Sequence, residues 1–185
     1  DEILVSQPVT GEEAFDIIRL LMESKEIGLV VLDSIAGLVP SAVQTEDFAY
    51  NPIAWQARLV NHSLPKLFAS LRNDCAFVAV NQTRSSLGPV AMDNMPGGVG
   101  QSFFAHFILS LKRRGWIKEE EKKVGFDIEV QCKKTKVGGL AYESKTIPFR
   151  LKGGVDLMET IMREALEKGI IVQSGPWYKL GEENL

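Results

Sequence analysis

The sequence predicts an α/β fold with a mostly parallel sheet, and three observations carry that prediction. Two uninterrupted apolar runs, Leu29-Val30-Val31-Leu32 and Cys75-Ala76-Phe77-Val78-Ala79-Val80, have the pattern of strands buried on both faces. Polar residues stop both runs, Asp33-Ser34 and Asn81. Segments of helical periodicity precede and separate them, giving the strand–helix–strand alternation of parallel α/β architecture.

Taken in order, Ile3-Leu4-Val5 reads as a short strand stopped by Gln7-Pro8. Thr10 and Glu13 have capping-box spacing, and Ala14, Ile17, Ile18, Leu21 and Met22 follow at helical intervals. A loop of small and polar residues runs from Pro40 to Pro52, and a second helix from about Ile53 to Leu71. Thr83 to Gln101 has no periodicity and carries Gly88-Pro89, Pro96 and Gly97-Gly98-Val99-Gly100, so it reads as a long functional or disordered loop. Three strands are expected at Phe104–Leu111, Phe126–Cys132 and Tyr142–Leu151, with the turn between the first two spanning Glu119 to Gly125. Gly153-Gly154 breaks the chain. Asp156 caps a helix over Leu157–Glu167 that Gly169 ends, and a hairpin follows around Gly175-Pro176.

Composition bounds the function classes. The chain has 185 residues, 45% hydrophobic and 24% charged, enough for one domain plus a small appendage. A net charge of -3 and a pI near 5.5 exclude a broadly basic nucleic-acid coat but leave room for a local patch. No apolar run approaches the roughly 18 residues of a membrane span, and no basic segment opens a signal peptide. Cys75 and Cys132 have no CxxC spacing, which fits a reducing cytoplasm and excludes a zinc ribbon or disulfide scaffold. The chain opens on Asp1, with strand-like residues directly behind it, so it is expected to be part of a longer protein.

Four apolar residues followed by Asp33 make a Walker B pattern, a carboxylate at the carboxyl edge of a sheet where it can hold Mg²⁺ through water. The same pattern also describes a strand ending on a capping aspartate. Asn81-Gln82-Thr83-Arg84 puts an amide where it could meet a γ-phosphate or an attacking water, or could simply satisfy loop backbone. The glycines of the long loop allow backbone N–H groups to approach phosphates, and Leu87 could wedge between bases. A mobile surface loop has the same composition. Lys133-Lys134-Thr135-Lys136 could neutralise phosphate or form a solvated surface, as could Lys112-Arg113-Arg114. His62 and His106 have no partner at ligand spacing. The sequence contains no Gly-Lys dipeptide and hence no GxxxxGK[ST] phosphate loop, so either Asp33 is not Walker B or that loop lies upstream.

A collinear series of motifs resembles the bacterial RecA recombinase family: Ser6-Gln7-Pro8, Thr10-Gly11-Glu12, Leu29 to Ser34, Ala57-Arg58, Asn81 to Arg84, Gly97-Gly98, Val124-Gly125, Lys134-Thr135-Lys136 and Gly175-Pro176-Trp177-Tyr178. The resemblance implies the C-terminal part of a RecA-like P-loop NTPase core over residues 1–152 and a partial α+β C-terminal domain over 153–185. It implies a cytoplasmic, DNA-dependent ATPase of recombination, repair and the SOS response. Such a protein uses ATP and Mg²⁺, forms a helical filament of its own copies on single-stranded DNA, and pairs that strand with duplex DNA. By residue, it implies Asp33 as the Mg²⁺ carboxylate with Ser34 beside it, Gln82 as the γ-phosphate sensor, and Lys134 and Lys136 as lysines reaching a neighbour's ATP. Phe103 matches an interface aromatic, and Gln44–Ile53 and Arg84–Gln101 match two DNA-binding loops. Ile53, Arg58, Arg84, Leu87, Gly97 and Gly98 match DNA-contacting positions.

Four departures mark a divergent member: Ser102 for a lysine, Val99 for a polar loop residue, Pro65 for a basic residue, and a missing adenine-packing aromatic near Leu151-Lys152. With the phosphate loop and catalytic glutamate expected upstream, the chain alone is expected neither to hydrolyse ATP nor to form filaments. Two other readings stay open: a phage recombinase or helicase-like RecA-fold ATPase, and a non-enzymatic DNA-binding module on an ATPase fold.

Overall fold

A computed structural model describes residues 3–45, 52–72, 74–85, 93–139, 141–180 and 183–184. The chain forms two compact units, Asp1–Ala105 and His106–Leu185.

In the first unit, helix α1 (Gly11–Glu23) starts where the capping box predicts. Thr10 accepts the Glu13 N–H, while the Glu13 carboxylate accepts the Val9 N–H at 2.9 Å. The apolar stripe of α1 buries Ala14, Phe15, Ile18 and Met22. Strand β1 (Leu29–Leu32) runs into a short 3-10 turn (Ile35–Gly37), then α2 (Ser41–Thr45) and α3 (Pro52–Ser70), which holds Pro65 in its interior. Strand β2 (Ala76–Ala79) pairs with β1 in parallel, Leu29 opposite Ala76 and Leu32 opposite Ala79. A parallel pair needs a long crossover, and the α2–α3 segment provides it. Val30, Ile35, Leu59, Val60, Leu64, Leu67 and Cys75 close the core with α1. The other side of the strand pair carries Leu29 and Val31, 57% and 56% exposed, with Val78 and Val80 also exposed. Two short strands, β3 (Arg84–Ser85) and β4 (Asp93–Asn94), pair antiparallel, and α4 (Gly100–Phe104) ends the unit.

The second unit is an antiparallel sheet in the order β5-β6-β7-β8, from β5 (Phe107–Glu119), β6 (Lys122–Thr135), β7 (Ser144–Arg150) and β8 (Gly154–Val155). Helix α5 (Leu157–Glu167) follows. Strands β9 (Ile171–Ser174), β10 (Trp177–Leu180) and β11 (Glu183–Asn184) then form a second small antiparallel sheet. Asp156 caps α5 by accepting the Glu159 N–H at 3.0 Å, as expected. Trp116, Phe126 and Phe149 form a row of ring contacts across β5, β6 and β7, and the Arg113 and Lys123 cations lie over Trp116.

Several expectations change. Ile3-Leu4-Val5 forms no strand: the three side chains are 75–88% exposed, and among the described residues no neighbouring strand supplies the ladder that would hold them extended. The loop after Pro40 contains α2, whose first N–H is accepted by the Glu12 carboxylate. The expected strand at Phe104–Leu111 divides, because Gly100–Phe104 is helical and the strand begins at Phe107. The mostly parallel sheet is confined to β1 and β2 among the described residues. The β5–β6 connection is only Glu120-Glu121, both at positive φ, and so short a turn can join strands only antiparallel.

Candidate functional site

At the carboxyl edge of the β1–β2 pair, the Val80 N–H donates to the Leu32 carbonyl and the Ile35 N–H donates back to the Val80 carbonyl, both at 2.9 Å. Asp33 and Ser34, between those two bonds, are extruded at the edge of the sheet. Asp33 is exposed, the Asp33–Ser34 peptide is cis, and Ser34 makes no side-chain capping bond to the turn behind it. The turn is fixed from α3: the Gln56 amide donates to the carbonyls of Ile35 and Leu38, each at 3.0 Å, and of Ala36 at 3.2 Å. The next strand delivers Asn81 and Gln82 to the same edge, with Gln82 exposed and its backbone N–H bonded to the Asn81 side-chain oxygen at 2.9 Å. The topology therefore brings Asp33, Ser34 and Gln82 together at one edge of the sheet.

The exit of the long loop is built on α3. Gly97 and Gly98 have φ of +87° and +75°, a conformation that favours glycine. A β-carbon on Gly97 would come within 2.9 Å of Ile35 and 3.2 Å of Val60, and one on Gly98 within 3.2 Å of Ala57. The loop exit thus sits directly on the helix. Phe103 points outward, 71% exposed, while its neighbour Phe104 packs on Phe68 with ring centroids 5.3 Å apart. Arg58 lies on the exposed side of α3, with its guanidinium 5.3 Å from the Trp55 ring centre.

Lys134 and Lys136 belong to the second unit. Lys134 sits opposite Ile108 in the β5–β6 ladder, and Lys136 follows the strand end, its N–H bonded to the His106 carbonyl at 2.9 Å. Desolvation, and secondarily the charge of Lys136, holds the Lys134 ammonium below the usual lysine range. Leu87 lies outside the described residues, as does most of Gln44–Ile53. Ile53 is placed in α3 and Arg84 in β3 by their backbones.

Sequence reasoning missed Gln56 and Gln101. Gln101 donates to the carbonyls of Pro96 and Gly98 and accepts from Asn81 at 3.0 Å. The one signal for either was position: an amide on the helix after the first loop, and one just after the glycine run.

The family model for the RecA N-terminal domain matches residues 1–154. The protein named Protein RecA of Cereibacter sphaeroides is 32% identical over 190 residues, covering 100% of this chain and 54% of that protein. Those of Paracoccus denitrificans and Acholeplasma laidlawii are 31% and 30% identical over 188 residues, covering all of this chain and 52% and 56% of theirs. The chain thus spans about half the length of these relatives.

Proposed function

The chain belongs to the RecA family, and from that premise we propose that it serves DNA recombination and repair. In this reading it is part of a DNA-dependent ATPase that binds single-stranded DNA as a filament of its own copies and exchanges strands with duplex DNA. The observation that carries the reading is the parallel pair that delivers Asp33 and Gln82 to one sheet edge, with Gln82 at the root of a glycine-rich loop.

The residues at that edge suit Mg²⁺ and a nucleotide. Among the described residues no three His, Cys, Asp or Glu side chains cluster, so an all-protein metal cage is not what they build. One exposed carboxylate with a neighbouring hydroxyl suits a cation that keeps its waters and takes phosphate oxygens for the rest of its shell. Asp33, with Ser34, would hold it, and the ion would supply charge neutralisation on the phosphates. Gln82 would sense the terminal phosphate by hydrogen bonding. Its backbone is tied to Asn81, so a shift of the side chain is passed to the loop that starts there.

Lys134 and Lys136 would reach the nucleotide of a neighbouring copy. Phe103 would pack at that copy's interface. Arg58, Ile53, Arg84 and Leu87 would contact the strand, and the Gly97 and Gly98 amides would meet phosphates. Residues 1–152 would then be the C-terminal part of the ATPase core, and 153–185 the start of a C-terminal domain. No described helix is long and apolar enough to cross a membrane.

The test is Gln82→Ala in the full-length gene product. ATP affinity should change less than about threefold, while the ATP-dependent gain in single-strand affinity should fall at least tenfold, about 1.4 kcal/mol. An undiminished gain, measured by fluorescence anisotropy with and without an ATP analogue, would remove Gln82 from the sensor role.

A further inference from the structure

Gln101 and Asn81 stand twenty positions apart, one at each end of the long loop, and their side-chain amides meet. The Asn81 Nδ2 group donates to the Pro96 carbonyl at 2.9 Å and to Gln101 Oε1 at 3.0 Å. Gln101 Nε2 donates to the carbonyls of Pro96 and Gly98. Asn81 Oδ1 accepts the Gln82 N–H. Both N–H bonds of each amide and both side-chain oxygens are therefore engaged, in a part-buried setting where a half-satisfied amide would be costly.

The pair fixes more than itself. Gln101 holds the carbonyls of Pro96 and Gly98, the peptide groups just before Gly97 and just after Gly98. Gly97 is already confined by Ile35 and Val60, and a β-carbon there would lie only 3.3 Å from Gln101 Nε2. On the far side, a β-carbon on Gly100 would fall 1.9 Å from Asn61 Oδ1. The run from Pro96 to Gly100 is thus held between the two amides and the Ala57-Val60-Asn61 face of α3. The same Asn81 side chain that receives the Gln82 N–H at the loop entrance holds the loop exit.

We propose that Gln101 is a positioning residue which, with Asn81, locks the loop exit to the loop entrance, so that the Gly97 and Gly98 amides and Gln82 move as one unit. The role of those groups in DNA binding rests on the function proposed above, but the lock stands on geometry alone. It accounts for how a change at Gln82 reaches the Gly97 and Gly98 amides further along the chain: the path runs through Asn81 and Gln101 and bypasses the loop between them.

The test uses Gln101→Met, which keeps length and bulk, and Gln101→Glu, which sets a carboxylate against two carbonyl oxygens, both in the full-length gene product. Amide hydrogen exchange over residues 95–104 should quicken at least tenfold in both variants, with exchange in α1 unchanged. The double variant Asn81→Ala, Gln101→Met should lose no more protection there than the worse single variant, because the two amides act together. Affinity for an oligo-dT strand in the presence of an ATP analogue should fall about tenfold, with ATP affinity retained. Unchanged exchange, or additive losses in the double variant, would overturn the lock. Quickened exchange with unchanged oligo-dT affinity would overturn its part in positioning the glycines. A parent protein that does not bind oligo-dT at all would instead remove the functional reading beneath it.

Discussion

The two units of this chain are held together by different means. Asp1–Ala105 has a conventional interior, in which Met22 and Val60 are 1% and 0% exposed within one continuous apolar cluster drawn from two helices and a strand pair. Among the described residues of His106–Leu185 the buried ones are Gly125 and Pro148, and no helical residue of α5 is buried. There the sheet ladder, a row of aromatic rings and ion pairs take the place of a core. Arg150 bridges Asp156 and Glu119, Arg163 bridges Asp127 and Glu159, and Lys145 meets Glu164 and Glu167. Hydrophobic burial is neither screened by ionic strength nor tied to a titrating group, whereas exposed ion pairs are weak singly and respond to both salt screening and pH. The two units should therefore fail under different stresses.

The sharpest way to break the contrast is in the first core. Met22→Ala removes a fully buried side chain and should cost about 2–5 kcal/mol. Hydrogen exchange should quicken across α1 and α3 and leave β6 unchanged, whereas a uniform rise in both units would show that they unfold together. In the second unit the comparable point is backbone, not side chain. A β-carbon on Gly125 would lie 2.3 Å from the Phe149 carbonyl oxygen. Gly125→Ala should therefore part β6 from β7 at a cost of about 1–3 kcal/mol, read as lost amide protection in β7 with α3 unaffected.

The mildest stress is acid. Asp156 is held below the usual carboxylate range by the Glu159 N–H and then by Arg150, and Glu164 by Lys168 and then Lys145. A carboxyl with a depressed folded-state pKa stabilises above its unfolded value and loses that contribution as pH falls through the folded one. α5 should keep its protection at neutral pH and loosen below about pH 4. The first unit has two such carboxyls among the described residues, Glu23, bonded to Ser70 and Arg19, and Asp74, bonded to Arg72, but neither lies in α3, which is held by the apolar core, so α3 should respond less. Equal acid sensitivity of α3 and α5 would blunt the comparison.

The legible parts of the sequence were those where a local signal has a local cause. Thr10 and Asp156 announced their helices because a capping side chain acts within three residues. The Leu29–Leu32 run announced a strand because nothing polar interrupts it. Helix α4 was hidden because it starts at a glycine, lacks a side-chain cap and is five residues long, too short for a period to show. Ile3–Val5 misled because β propensity expresses itself only against a neighbouring strand. At the candidate site, Asp33 and Gln82 were legible from their strands, but the Asn81–Gln101 pair was not, since amides twenty residues apart leave no spacing to read.

In these 185 residues taken alone, the bare side of the β1–β2 pair is adhesive. Leu29, Val31, Val78 and Val80 offer water a flat aliphatic strip, and among the described residues each strand also keeps an outer edge with unmatched peptide groups. Only a modest negative charge keeps such surfaces apart, and it vanishes near the sequence pI of about 5.5. In colloidal terms, little charge then opposes contact through this aliphatic strip in mildly acidic buffer, so these 185 residues are best dispersed well above that pH.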